Sequence, residues 1–150
     1  MSEGCQTALL RNEQETLDFG AQLAQQIPQR PTVVYLQGDL GAGKTTLVRG
    51  LLMGMGHKGP VKSPTYTLVE SYHLESEGMM RLIHHFDLYR VEDPEELEFI
   101  GGREYFDAHL CLIEWPLKGV GWLPKADLII DLIVEGEARQ ISLEWQNTPT

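Results

Sequence analysis

The chain has 150 residues, 42% of them hydrophobic and 23% charged, which suits one soluble domain with a real core and leaves no room for a separate substrate domain. Twelve Lys and Arg against 22 Asp and Glu give a net charge of −10, and an acidic chain is repelled by nucleic-acid backbone and by anionic membrane. The two cysteines, Cys5 and Cys111, exclude a disulfide framework and fit a reducing cytoplasm, and neither a signal-peptide pattern nor an apolar run near the ~20 residues of a membrane span is present.

In chain order, Cys5 falls near an N-terminus expected to be flexible. Asn12-Glu13-Gln14-Glu15 reads as a helix N-cap with Glu at the capping-box position. Leu17, Ala21, Ala24 and Ile27 then recur at helical spacing, and Pro28 closes the helix. Thr32 to Gln37 predicts a strand and Thr46 to Leu52 a helix that ends near Gly54 to Gly56. A loop follows from His57 to Pro64. Tyr66 to Tyr72 and Met80 to Phe86 predict a hairpin around a turn at Glu75 to Gly78. Asp93-Pro94-Glu95-Glu96 opens a short helix over Glu95 to Ile100, broken by Gly101-Gly102, with a further turn over Arg103 to Phe106. Leu110 to Ile113 is the continuous apolar run of a strand buried on both faces, which also places Cys111 in the core. Leu128 to Val134 and Arg139 to Trp145 predict two last strands around Glu135-Gly136-Glu137, before a mobile tail over 146–150. The expected fold is α/β: a P-loop NTPase-type three-layer sandwich over 1–150, whose mixed central sheet has a parallel core and antiparallel additions.

The strongest chemical signal lies between the first predicted strand and the second helix. Gly38-Asp39-Leu40-Gly41-Ala42-Gly43-Lys44-Thr45 is the pattern G-x-x-x-x-G-K-[ST] in the strand–loop–helix setting it requires. Its glycines let successive N–H groups converge on phosphate oxygens, and the helix start adds the positive end of its dipole. Lys44 would reach the β- and γ-phosphates, and the Thr45 hydroxyl would ligate Mg²⁺.

Such a site needs an acid at the carboxyl end of a neighbouring buried strand. Glu114 follows four apolar residues and is the first candidate; the bland alternative is an acid facing solvent. Asp87 ends the run Leu82 to Phe86 and is the second, to hold Mg²⁺ through water or to position the attacking water; alternatively it caps a turn or pairs with Arg90. On a strand, His85, Asp87 and Tyr89 share one face. The five histidines show no zinc-ligand spacing and are read as packed or exposed. Ser63-Pro64-Thr65-Tyr66 is either an ordinary turn or a segment that senses the γ-phosphate. Trp115 is read as a core anchor rather than a stacking group, and Glu13 as an acid at a helix N-terminus.

Taken together, five ordered segments resemble the TsaE (YjeE) family. They are Gly38 to Thr46, Ser63-Pro64-Thr65-Tyr66-Thr67-Leu68-Val69-Glu70, His85-Phe86-Asp87-Leu88-Tyr89-Arg90, Asp93 to Phe99, and Ile113-Glu114-Trp115-Pro116. None departs from the family pattern, and the region after Gly121 is less informative. The resemblance implies an ATP- and Mg²⁺-binding ATPase that acts with TsaB and TsaD in threonylcarbamoyl modification of adenosine 37 in tRNA. Its hydrolysis would support repeated turnover, and it would meet tRNA only through the complex. It implies that Gly41, Ala42, Gly43, Lys44, Thr45 and Thr46 hold the phosphates and that Thr45 and Glu114 hold Mg²⁺. It further implies that Asp87 aids hydrolysis and that Glu13 lies near the base or ribose.

Two other classes compete. A small-molecule kinase would show an Arg-rich lid, yet Arg90 and Arg103 are the only obvious candidates for one between the phosphate loop and the last strands. A non-catalytic nucleotide sensor would keep the loop without needing Glu114 or Asp87. A GTPase is disfavoured because no Asn-Lys-x-Asp segment exists.

Overall fold

The computed structural model describes residues 5–76, 78–101 and 103–146. Its centre is a seven-stranded sheet in the order β1-β7-β6-β2-β5-β4-β3. The strands are β1 (Cys5–Leu10), β2 (Thr32–Gln37), β3 (Val69–Ser76), β4 (Met79–Asp87), β5 (Leu110–Glu114), β6 (Leu128–Glu135) and β7 (Ala138–Trp145). β6, β2, β5 and β4 run parallel, whereas β1, β7 and β3 join antiparallel. The fold is therefore the expected α/β arrangement of a parallel core with antiparallel additions. Among the described residues no helix is long and apolar enough to cross a membrane.

Two helices, α1 (Glu13–Ala24) and α2 (Lys44–Gly54), pack together in the larger core. There Leu23, Leu47, Leu51 and Leu52 meet Val34, Leu36, Leu112 and Ile130 of the sheet. The α1 start is as predicted: Asn12 Oδ1 accepts from Glu15 N–H at 2.8 Å, while the Glu15 carboxylate reaches one residue further back, to Arg11 N–H at 2.9 Å. The buried stripe is only partly the expected one: Ala24 and Ile27 are buried, although the helix ends at Ala24, before Ile27. It runs through Thr16, Gly20, Leu23 and Ala24 of the helix, while Leu17 and Ala21 are only half-buried. The reason is the close approach of α2: a Cβ on Gly50 would lie 2.2 Å from Leu17 O, and one on Gly20 would lie 2.5 Å from Leu47 O. Backbone against backbone fills the space that larger side chains would otherwise occupy.

Three short 3₁₀ turns, Pro94–Ile100, Arg103–Asp107 and Pro116–Gly119, accompany a second core of Phe86, Leu88, Val91, Leu97, Ile113 and Trp122. Asp93 and Glu96 form a reciprocal capping box at the first turn, and Cys111 is fully buried as expected. Two predicted elements shift. Cys5 begins an edge strand rather than a free end, because β1 is recruited through backbone pairing with β7 and buries only Leu10. β3 begins at Val69 rather than Tyr66, because Leu68 adopts a left-handed φ of 71°. Of the predicted tail, 147–150 lie outside the described residues, as do Glu77 and Gly102 of the predicted turn and helix break. Gln146 is tied down by its N–H to Asp127 O at 2.9 Å.

Candidate functional site

β2, β4 and β5 are parallel, so their carboxyl ends share one edge of the sheet, where open α/β sheets form their clefts. β2 delivers Gln37 to the phosphate loop, β4 ends on Asp87 and β5 ends on Glu114, with Asp87 and Glu114 opposite one another in register. A cleft of about 280 Å³ at this edge is lined by Leu40, Gly41, Gly43, Lys44, Thr45, Thr46, Thr65, Asp87, Glu114 and Trp115. Residues read separately from the sequence thus meet in one place.

The loop has the backbone that its glycines predict. Gly43 caps α2 with φ 104°, which a side chain would strain. Gly38 runs so close to β6 that a Cβ would stand 2.6 Å from Leu132 O. Lys44 is 5% exposed. Its Nζ donates to Gly38 O and lies 3.8 Å from the centre of the Trp115 ring. Burial lowers the Lys44 pKa, and the charges of Glu114, Asp87 and Asp39 push it back up.

Glu114 is 3% exposed, and its Oε2 accepts from His85 Nε2 at 2.6 Å. The solvent-facing alternative for Glu114 is excluded. His85 is wholly buried and lies on the same face of β4 as Asp87. Reading the histidines one at a time missed this pair. The available signal was the spacing of His85 and Asp87 at the end of a strand running alongside one that ends in Glu114.

Asp87 is 7% exposed. Its Oδ1 accepts from Tyr89 N–H at 3.0 Å and its Oδ2 from the Thr65 hydroxyl at 3.2 Å. Its own N–H donates to Leu68 O at 3.0 Å. The Ser63–Leu68 segment is therefore tied to Asp87 at two points, and Ser63 Oγ stands 2.7 Å from Thr65 Oγ1. Burial raises the Asp87 pKa, and the Glu114 charge adds to that effect, while the bonds from Tyr89 and Thr65 oppose it.

Trp115 packs against the second core as expected, but it is only half-buried, and its ring also lies tilted beside Tyr89 and lines the cleft. Its φ of 58° is left-handed. Among the described residues Leu68 and Trp115 are the non-glycine positions with positive φ, and they flank Asp87 and Glu114. Such strain, of order 1–3 kcal/mol at each position, persists where the surroundings enforce it and clusters at functional sites.

A second cleft of about 200 Å³ shares Gly41, Gly43 and Thr46 with the first and adds Asn12, Glu13, Thr16, Glu137 and Arg139. Glu13 lines it and bonds to Arg49 at 3.2 Å. Arg90 is exposed, packs over the Tyr66 ring and is not among the residues lining either cleft. The Arg103 side chain lies outside the described part of the structure.

The donor set fits a nucleotide with a hard divalent cation: a hydroxyl at Thr45, carboxylates at Glu114 and Asp87, an ammonium at Lys44 and a glycine-rich helix start. Mg²⁺ favours few protein oxygens beside phosphate oxygens and water. Among the described residues no group of three or more His, Cys, Asp or Glu is placed to form an all-protein metal cage.

Comparison with known proteins gives a consistent result. The sequence profile of the family described as threonylcarbamoyl adenosine biosynthesis protein TsaE matches residues 10–141. A tRNA threonylcarbamoyladenosine biosynthesis protein TsaE from Haemophilus influenzae is 50% identical over 142 residues, covering 91% of this chain and 87% of that one. The protein of the same name from Treponema pallidum is 36% identical, covering 83% and 88%. The crystal structure of Bacillus subtilis YdiB superimposes with a TM-score of 0.73 at 28% identity, covering 95% of this chain and 86% of that one.

Proposed function

The chain belongs to the TsaE family, and from that premise we propose that it is a Mg²⁺-dependent ATPase serving threonylcarbamoyl modification of tRNA in the cytoplasm. The observation that carries this reading is the meeting of Lys44 and Thr45 with Asp87 and Glu114 in one cleft at the carboxyl edge of the parallel strands.

Each residue has a task suited to its surroundings. The amides of Gly41 to Thr46 take the phosphates, at the positive end of α2. Lys44 exchanges Gly38 O and the Trp115 ring for β- and γ-phosphate oxygens. The Thr45 hydroxyl and Glu114 would hold Mg²⁺, which would supply charge neutralisation to the phosphates. Glu114 is oriented for this by His85. Asp87 positions the attacking water, and the Thr65 bond links that carboxylate to the Ser63–Leu68 segment. The loss of γ-phosphate on hydrolysis is thereby felt by a surface loop. Glu13 contributes to the ribose or base end from the second cleft.

Among the described residues no arginine lines the cleft that holds Lys44, Asp87 and Glu114. Charge developing on the transferred phosphoryl is left partly uncompensated, so hydrolysis by the chain alone is slow. The surroundings of the cleft favour help from a protein partner over a small acceptor. Leu40, Tyr66 and Leu117 are 63%, 82% and 79% exposed, an apolar setting suited to a protein interface. TsaB and TsaD are the proposed partners, and they supply the tRNA contacts that a net charge of −10 discourages.

The test is phosphate release from ATP, measured with and without TsaB and TsaD, alongside complex formation with ATP, ADP and no nucleotide. Slow release alone, stimulation by the partners and nucleotide-dependent association support the proposal. Equal rates with and without partners, together with nucleotide-independent association, contradict its coupling to the complex.

A further inference from the structure

The phosphate loop has an anchor that its motif does not include. β6 runs parallel to β2, so the β6–β7 turn emerges at the same edge as the loop, and β7 starts back from beneath it. Arg139 is the second residue of β7. Its Nη2 donates to Gly41 O at 3.2 Å and its Nε to Ala42 O at 3.1 Å, while Nη1 bonds to Ala138 O at 3.0 Å. One rigid, planar group therefore grips two consecutive carbonyls of the loop and ties them to the strand that carries it. A trans peptide places N–H opposite its C=O. Fixing Ala42 O on the guanidinium thus fixes the direction of Gly43 N–H, and these loop amides are the groups that meet an anion.

We propose that Arg139 is a positioning residue for nucleotide binding. It holds the carbonyls of Gly41 and Ala42 so that the loop amides are oriented for phosphate before the nucleotide arrives, which lowers the ordering cost of binding. The proposal rests on the reading of this loop as the ATP site. It assigns the work to the fork of the guanidinium rather than to its charge, since a lysine keeps the charge but lacks rigid paired donors.

The test compares the parent with R139K and R139A. Three quantities are read: calorimetric Kd for ATP and ADP with Mg²⁺, amide hydrogen exchange by segment, and Tm without nucleotide. Both variants are expected to bind both nucleotides about tenfold more weakly. Exchange should quicken over residues 38–45 and stay at the parental level across the sheet, with Tm nearly unchanged. Parental affinity in R139K overturns the proposal. So does exchange that quickens across the whole sheet with a fall in Tm, which marks Arg139 as a fold residue of β7. If R139A does not fold, R139K alone decides. If the parent binds neither nucleotide, the ATP-site reading fails on its own account, and unchanged exchange over 38–45 in R139K separately overturns the clamp.

Discussion

His85 Nε2 donates to Glu114 Oε2 at 2.6 Å, with the two side chains 0% and 4% exposed. The bond crosses the parallel β4–β5 pair, in which Asp87 stands opposite Glu114 and His85 stands opposite Leu112. One short stretch of β4 therefore supplies both the acid beside Glu114 and the donor that makes burial of Glu114 tolerable. A buried carboxylate without a partner is costly, so the histidine is part of the candidate site although it does not line the cleft.

His85→Leu removes that donor and strands the carboxylate. A loss of roughly 3–5 kcal/mol is expected by chemical denaturation, and much of it should return in the double variant His85→Leu/Glu114→Leu. A single-variant loss below about 1 kcal/mol would show that Glu114 does not depend on His85.

Asp87→Asn should separate stability from activity. Burial holds the Asp87 carboxyl above its ordinary value of 3.8, so the native state binds this proton more tightly than the unfolded chain does. Its stabilising contribution is full below the ordinary value and is lost as pH rises through the raised native value. Asparagine keeps one acceptor for Tyr89 N–H and offers a donor to Thr65. The variant should therefore melt above the parent near neutral pH, with the difference shrinking on acidification through the carboxylate range, while phosphate release slows at least about tenfold. Melting below the parent at neutral pH would make Asp87 a structural acid.

Much of this was legible in the chain. β2, β5 and β6 are apolar runs and β7 alternates apolar with polar residues, all with clear punctuation, and the loop glycines, Lys44, Asp87 and Glu114 carry their spacing openly. What was hidden depends on partners remote in sequence. β1 is held by the backbone of β7, which leaves no apolar pattern to read. The His85–Glu114 bond and the grip of Arg139 on Gly41 and Ala42 join residues far apart in the chain. Part of the buried stripe of α1 was hidden because glycines, counted as neutral in a hydrophobic pattern, form the helix contact.

That contact yields a third prediction. Gly50→Ala places a Cβ 2.2 Å from Leu17 O, and backbone cannot yield as a flexible side chain would. The variant should lose about 1–3 kcal/mol, or roughly 3–10 °C in Tm. Met53→Ala, at an exposed position of the same helix, serves as the control and should change little. Equal melting of the two variants would refute the close helix approach.

On the proposed function, the loop Gly38–Thr45 binds ATP through Lys44. Calorimetric titration of MgATP into the parent and into Lys44→Ala decides this, with folding of both checked by melting. Saturable binding by the parent and an affinity at least roughly tenfold weaker in the variant are expected, since a charge-assisted phosphate contact contributes about 1.5–3 kcal/mol. Equal affinity in the two proteins, or no binding by the folded parent, would contradict it.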